Sequence, residues 1–356
     1  MSRAASQVLL LTPSRGQGGG IERYVHTVEW AFGTQGISYQ RLDLAGPGLP
    51  NHRRLVAEAA NCLAARTAPV RLVLAHRALL PVAALLARGP AVRGISVICH
   101  GSDVWGARLR PRWHAERVLL RRPGVRVVAV SSYTAGALAA LCRATILPPG
   151  LSRGWFDELA AAGRRQRAQP RPGGPCPRIV TAFRLADWRD KGLPELITAL
   201  AALGRPDVQL AICGSGSPPP DLMRLIRAYP WCTVWAGLAD RELASQLAAA
   251  DLFVLATRTR PGRRACGEGF GLVLLEAQLA GTPVVAPAHG GAPDAYLDGI
   301  TGTAPIDESP AALAGLLDPL LKDPARLGQM GRQAAAWAAE RFDPDRYAAL
   351  AVARLL

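Results

Sequence analysis

Two glutamates stand among glycines and apolar residues in GEGFGLVLLEAQLAGTPVVA, residues 267–286. From Leu272 to Ala280 the segment has the length and apolarity of a buried helix, with Gly281 as its C-cap before a strand TPVVA. A carboxylate at Glu276 on such a helix is costly unless something donates hydrogen bonds to it. Glu268 precedes the helix in a loop whose Gly267, Gly269 and Gly271 leave backbone amides open to a ligand. A carboxylate that accepts two vicinal hydroxyls, beside a loop that offers amides, suits a sugar nucleotide. The plainer alternative is that Glu276 snorkels to the surface from the helix edge. A second candidate is His100, which opens HGSDVW directly after the apolar run GISVIC, with Asp103 three residues on. Taken alone, a single histidine is more often a satisfied structural side chain.

The elements that must position these residues follow a regular rhythm. Short apolar runs (QVLLLTP, RLVLAH, GISVICH, RVVAVS, RIVTAF, VQLAICG, LFVLAT, TPVVAP) alternate with longer helical patterns. This is the signature of parallel sheets covered by helices on both faces. A stretch rich in Arg, Pro and Gly at 160–177 divides the runs into two groups. The division predicts an N-terminal doubly wound domain over residues 1–165, a linker at 166–177, a second doubly wound domain over 178–335, and a C-terminal helix at 336–356 that could cross back to the first. In such sheets ligands bind beyond the carboxyl ends of the strands, which is where Glu268 and His100 fall.

Glycine-rich turns are present but match no standard nucleotide fingerprint. In RGQGGGIERYVHTVEW a spacing counted from Gly16 and Gly18 requires a third glycine at 21, which is Ile21, and no Gly-Lys-Ser/Thr follows. In CGSGSPPP, Pro219 stands where a third glycine is needed. Gly19 and Gly20 still permit a phosphate or sugar to approach the backbone at the start of a helix.

Composition narrows the function classes. The 356 residues are 49% hydrophobic and 19% charged, as in a globular protein with sizeable cores. Residues 1–150 hold 19 Lys/Arg against 6 Asp/Glu, a net of +13, while the rest of the chain is nearly balanced. Such a charge either attracts anionic lipid, nucleic acid or a phosphorylated small molecule, or is no more than a solvated arginine-rich surface. Nucleic acid is the weakest reading, because aromatics are 6% of the chain and no recognition motif appears. Seven cysteines lack any Cys-x-x-Cys pair, which suits reduced thiols in a cytosol. The run VLLLTP is too short for a signal core, and His76, Arg77 and Arg88 interrupt the most apolar longer region. The segment 105–122 is a candidate arginine-rich surface helix, although Pro111 interrupts it.

Glu268, Gly269, Phe270, Gly271, Glu276, AGTPVVA, GGAPD (290–294) and DGITG (298–302) together resemble the donor-site signature of family 4 glycosyltransferases. These are retaining enzymes of α/β class with the GT-B fold, two doubly wound Rossmann-like domains facing a central cleft. ADLFVLATRTR, FRLADWRDKG, VVAVSSYTAGAL and HGSDVW extend the resemblance over nearly the whole chain, and TRTR with GEGFG is similar to mannosyltransferases acting on phosphatidylinositol. The resemblance implies that Glu276 binds the donor ribose. It implies that Glu268 holds a hydroxyl of the transferred sugar beside the backbone of Phe270, Gly271 and Leu272. Arg184 and Lys191 match the pair that stabilises the diphosphate as negative charge grows there. Their separation departs from the family pattern, so Arg189 could replace either one. His100 would sit near the anomeric centre, with Asp103 hydrogen-bonding in the acceptor cleft.

The implied reaction moves a hexose from a nucleoside diphosphate sugar (GDP-mannose, UDP-GlcNAc or UDP-glucose) to a hydroxyl of a glycan, lipid-linked or secondary-metabolite acceptor. The N-terminal domain would bind the acceptor and the C-terminal domain the donor. No protein nucleophile is evident, in keeping with front-face transfer in which the departing phosphate oxygen helps take the acceptor proton, and domain closure would exclude water. No metal or cofactor is expected: the sole Asp-x-Asp, Asp343-Pro344-Asp345, reads as a helix start, and no His/Cys cluster has metal spacing. The expected location is cytoplasmic, with peripheral contact to an anionic inner membrane face left open. Two other classes stay in view. A nucleotide-sugar epimerase of the same shape would isomerise the donor without making a glycoside. A non-catalytic basic nucleotide-binding or nucleic-acid-binding protein would show salt-dependent retention without turnover.

Overall fold

The computed structural model describes residues 7–13, 19–101, 103–105, 113–168, 176–260, 262 and 265–356. Its strands are β1 (Val8–Thr12), β2 (Tyr39–Asp43), β3 (Val70–Leu74), β4 (Val92–Cys99), β5 (Val125–Ala129), β6 (Thr145–Ile146), β7 (Arg178–Ala182), β8 (Gln209–Gly214), β9 (Cys232–Ala236), β10 (Leu252–Val254), β11 (Val284–Val285) and β12 (Gly302–Thr303). The α-helices are α1 (Gly20–Thr34), α2 (Leu49–Ala64), α3 (Leu80–Leu86), α4 (Trp113–Leu120), α5 (Ser132–Leu138), α6 (Arg153–Ala168), α7 (Leu193–Ala202), α8 (Pro220–Ile226), α9 (Asp240–Ala248), α10 (Leu272–Leu279), α11 (Pro310–Leu321), α12 (Pro324–Arg341) and α13 (Pro344–Leu355). They form two compact units. The first comprises Met1–Ser152, Pro261–Ala265 and Asp345–Leu356, and the second Arg153–Arg260 and Cys266–Pro344.

In the first unit the strands lie in the order β2-β1-β3-β4-β5-β6, every pair parallel. VLLLT of β1 and VRLVL of β3 are buried along their whole length, as strands covered on both faces must be. Each leucine or valine so buried contributes roughly 1.5–3 kcal/mol relative to exposure. On α1, Tyr24, Val25, Val28, Ala31 and Phe32 form the inward stripe at helical spacing. The strand order reverses between β1 and β3, whose carboxyl ends flank the switch point.

The second unit has the order β12-β11-β10-β7-β8-β9, again parallel throughout. Its switch point lies between β7 and β10. The loops that follow these two strands therefore leave the sheet side by side, and they hold residues 183–192 and 255–271. The core beneath combines Ile179, Leu210, Ile212, Leu252 and Val254 of the strands with Leu196, Leu200, Leu317 and Leu320 of the helices.

Every apolar run read as a strand is one. Strands β2, β6, β9 and β12 are additions: β2 is only half-buried, β9 alternates exposure, and β6 and β12 are two residues long, so none carries a strong apolar signal. The stretch expected to be a linker is helical as far as Ala168, because α6 runs from Arg153 to Ala168 and groups with the second unit. The boundary between units falls instead between Ser152 and Arg153, and the rest of that stretch, 169–175, lies outside the described residues. The single C-terminal helix expected at 336–356 is two helices: α12 runs through Arg341, and α13 starts at Pro344, which cannot donate a helical hydrogen bond to a preceding turn. Residues 106–112 of the candidate surface helix, and Gly16 and Gly18, are outside the described residues. Among those described, no helix is long and apolar enough to cross a membrane. All seven cysteines are free.

Candidate functional site

At the switch point of the second unit, Lys191 and Glu268 meet. Lys191 Nζ lies 2.8 Å from Glu268 Oε2, and Thr257 Oγ1 donates to the same oxygen at 3.1 Å. Their side chains are 24% and 13% exposed, so a ligand can reach a pair that solvent screens only in part. The approach of the two loops depends on Gly192. It has φ +68°, and a Cβ there would stand 1.8 Å from the Ala256 carbonyl oxygen. Only a residue without a side chain lets Lys191 lie against the strand end that carries Thr257. The amide of Gly291, in GGAPD, donates to the Glu268 carbonyl at 2.7 Å and fixes that residue's backbone.

Glu276 lies on α10 and is 4% exposed, so it does not snorkel. Its Oε1 accepts a 2.8 Å hydrogen bond from the indole Nε1 of Trp155 on α6. The indole thus meets the donor requirement that the sequence raised, and Trp155 is itself buried. Gly271 caps the start of α10 in left-handed conformation, Leu272 opens the helix, and the buried ring of Phe270 packs edge-on to Phe342 at 6.1 Å. The Phe270 ring is therefore a core anchor, leaving its backbone and that of Gly269 and Gly271 at the loop.

The other cations of FRLADWRDKG are held apart. Arg184 Nε donates to Asp187 Oδ2 at 2.9 Å, and Arg189 pairs with Asp221 while lying 4.1 Å over the Trp188 ring. Of the three, Lys191 is the one that touches Glu268. The sequence reading missed Thr257, Trp155 and a brace behind Thr257. In that brace Arg258 Nη1 donates to Glu195 Oε1 at 2.9 Å, and the Thr259 amide donates to both oxygens of Glu308 at 2.9 Å. Thr257 lies in ADLFVLATRTR at a strand's carboxyl end and was accessible by position. Trp155 is 121 residues from Glu276, and no local pattern connects them.

In the first unit His100 follows β4 near the β1/β3 switch point. Its Nε2 lies 2.8 Å from the Ala75 carbonyl. A carbonyl only accepts, so Nε2 carries the hydrogen and Nδ1 is the basic nitrogen. Burial, only partly opposed by Asp103 and reinforced by His76, pushes the His100 pKa down to about 4. The ring is neutral at physiological pH. It stacks on His76 at 5.8 Å and meets Tyr24 edge-on at 5.4 Å. Asp103 Oδ1 accepts from the amides of His100 and Gly101 at 2.9 and 2.8 Å, while the fully buried Arg77 donates to the Asp103 carbonyl at 2.6 Å. Asp103 therefore shapes the turn that carries His100. Gly19 caps α1 and Gly20 opens it, and a Cβ at either would meet nothing within 4 Å.

Two doubly wound parallel units, each with polar side chains gathered at strand carboxyl ends, are the architecture of the GT-B class. Residues 166–337 match the model of the family described as glycosyl transferases group 1. The chain is 36% identical over 270 residues to the GDP-mannose-dependent alpha-(1-6)-phosphatidylinositol monomannoside mannosyltransferase of Mycolicibacterium smegmatis, spanning 72% of this chain and 68% of that protein. It is 34% identical over 252 residues to the D-inositol 3-phosphate glycosyltransferase of an Arthrobacter species, spanning 66% of this chain and 54% of the relative. The crystal structure of Anabaena HepE with UDP and glucose superposes with a TM-score of 0.72 at 18% identity, covering 98% of this chain and 100% of that one. WaaG, a glycosyltransferase involved in lipopolysaccharide biosynthesis, gives 0.69 at 18%, covering 96% and 99%. The chain belongs to the group 1 glycosyl transferases and is a glycosyltransferase.

Proposed function

We propose that the chain transfers mannose from GDP-mannose, with retention, to a hydroxyl of a phosphorylated polyol or its lipid-linked form. The observation that carries the donor half is the Lys191–Glu268–Thr257 constellation at the β7/β10 switch point, with Glu276 buried behind it. Two relatives support the choice of substrates by name: the Mycolicibacterium protein is GDP-mannose-dependent and acts on a phosphatidylinositol mannoside, and the Arthrobacter protein acts on an inositol 3-phosphate. In this reading Glu276, oriented by Trp155, accepts the ribose hydroxyls. Glu268 holds a mannose hydroxyl, with the amides of Gly269, Phe270, Gly271 and Leu272 alongside.

Lys191 bridges from Glu268 to the diphosphate, and Arg184 leaves Asp187 to join it. Their positive charge meets the negative charge that grows as the glycosidic bond breaks, so the reaction proceeds without a metal or cofactor. A departing phosphate oxygen takes the acceptor proton. Neutral His100 stays beside the acceptor as a hydrogen-bonding group, with Asp103 fixing its turn and Gly19 and Gly20 admitting ligand to the start of α1. The free cysteines and the basic first unit fit a cytoplasmic enzyme working at an anionic inner membrane face.

The test is GDP-mannose binding and hydrolysis without acceptor, in the presence of chelator, for the wild type, Glu276→Ala and Lys191→Ala. Saturable binding that weakens in Glu276→Ala, and hydrolysis that collapses in Lys191→Ala, are expected. Tight binding of a UDP-sugar with none of GDP-mannose would overturn the donor. Epimerised donor without glycosyl transfer to any polyol phosphate would overturn the reaction.

A further inference from the structure

Three successive strands of the first unit open on Val-Arg: Val70-Arg71 in β3, Val92-Arg93 in β4 and Val125-Arg126 in β5. Arginine is seldom buried without a partner, and strands of a covered parallel sheet are the last place to expect it. The register pairs Arg71 with Gly94 and Ser96 with Arg126, so alternation places Arg71, Ser96 and Arg126 on one face. Gly94 makes the room, since a Cβ there would lie 3.0 Å from the Arg71 guanidinium. The register slips between Val70 and Arg71, which leaves Arg93 as the extra residue, exposed at the same strand ends.

Arg71 is 9% exposed, and its Nε has no partner among the described residues. Among the described residues its Nη1 reaches the Ser96 hydroxyl, at 3.3 Å. Burial and the neighbouring charges of Arg126 and Arg93 all disfavour its ionised form. Along β5, β6 and the end of α13 a hollow of ≈ 490 Å³ is lined by Arg126, Arg143, Thr145, Ala353 and Arg354, among others, and by no carboxylate side chain among the described residues. The end of α13 supplies some compensation. Leu355 O accepts from Ser96 Oγ at 2.5 Å, and Ala353 O accepts from Arg126 Nη1 at 3.5 Å. A helix C-terminus is worth about half a negative charge. Arg126, Arg143 and Arg354 bring three positive ones to the hollow, and Arg71 and Arg93 add to the field from the neighbouring strands.

We propose that the amino edge of the first sheet is a binding site for a multivalent phosphate-bearing anion. This edge is the opposite end of β4 from His100, roughly 20 Å away at about 3.3 Å per residue, so the site is separate from the carboxyl-edge residues assigned above. Arg126 and Arg143 grip the anion from the sheet, and Arg354 closes on it from α13. The shared chemistry is a phosphate carrying two or more charges, presented either by a soluble phosphorylated molecule or by a phospholipid headgroup.

The test is calorimetric titration of the full chain with inorganic pyrophosphate, comparing wild type, the double variant Arg126→Gln/Arg143→Gln, and Lys191→Ala. Both arginines are exposed, so their replacement leaves the core intact, and circular dichroism with a melting curve verifies this. The expected result is binding that weakens roughly tenfold or more in the double variant and survives in Lys191→Ala. Binding lost in Lys191→Ala but unchanged in the double variant, or no binding at all, overturns the proposal. Sedimentation with phosphatidylglycerol/phosphatidylcholine vesicles separates the sources. Retention of the wild type that the double variant loses identifies a headgroup, whereas pyrophosphate binding without vesicle retention identifies a soluble ligand.

Discussion

Replacing Trp155 by phenylalanine removes one N–H while leaving an aromatic ring on α6. The indole donates to Glu276 Oε1 at 2.8 Å, and Glu276 is 4% exposed. A hydrogen bond to a buried charged acceptor is worth about 1.5–3 kcal/mol, because the carboxylate cannot recover the donor from water. The smaller ring adds a void costing on the order of 1 kcal/mol. Trp155→Phe should therefore lower the unfolding free energy by roughly 2.5–4 kcal/mol, seen in urea as a lower midpoint at unchanged slope. Glu276→Gln should be partly compensating in that background, because a neutral amide needs the lost donor less; a double-mutant cycle measures the coupling. The same change releases the carboxylate from its fixed orientation, and GDP-mannose affinity should fall about tenfold, or about 1.4 kcal/mol. A Trp155→Phe protein within about 0.5 kcal/mol of wild type and with full donor affinity would refute both steps.

Gly192→Ala forces a Cβ to within 1.8 Å of Ala256 O at φ +68°, so the two loops must separate. A loss of roughly 3 kcal/mol or more in chemical denaturation is expected, together with loss of turnover as Lys191 leaves Glu268. Lys191→Met, by contrast, removes a partly exposed pair while Thr257 still serves Glu268. Its stability should change by no more than about 1 kcal/mol, while kcat falls about a hundredfold. His100 ionises near pH 4 when folded and near its ordinary 6.5 when unfolded. The unfolded chain thus binds the proton first, and stability should fall as pH drops from about 6.5 to about 4, by on the order of 3 kcal/mol. Urea midpoints at the two ends of that window, for wild type and His100→Asn, measure the histidine's share, and an equal slope in both would remove it.

The sequence by itself determined the class of fold and singled out the glycine-flanked loop around Glu268. Parallel strands buried on both faces must be continuous apolar runs, so VLLLT, VRLVL and RIVTA announced themselves without knowledge of their neighbours. Strands β2 and β9 were not legible because an edge position leaves them half-wet and mixed in composition. The glycine spacing around Glu268 is local, and a local pattern carries to the structure. Glu276 posed a question that the sequence could state but not answer, since the indole that meets it lies on α6, 121 residues upstream. Lys191 and Glu268 were both singled out, yet their contact is set by strand order, which places β7 beside β10 although β8 and β9 separate them in the chain. The repeated Val-Arg was visible in the letters, but its gathering into one arginine cluster depends on parallel register. Pairing across a sheet is a relation between distant segments that no window of sequence contains, and only the tertiary structure decided it.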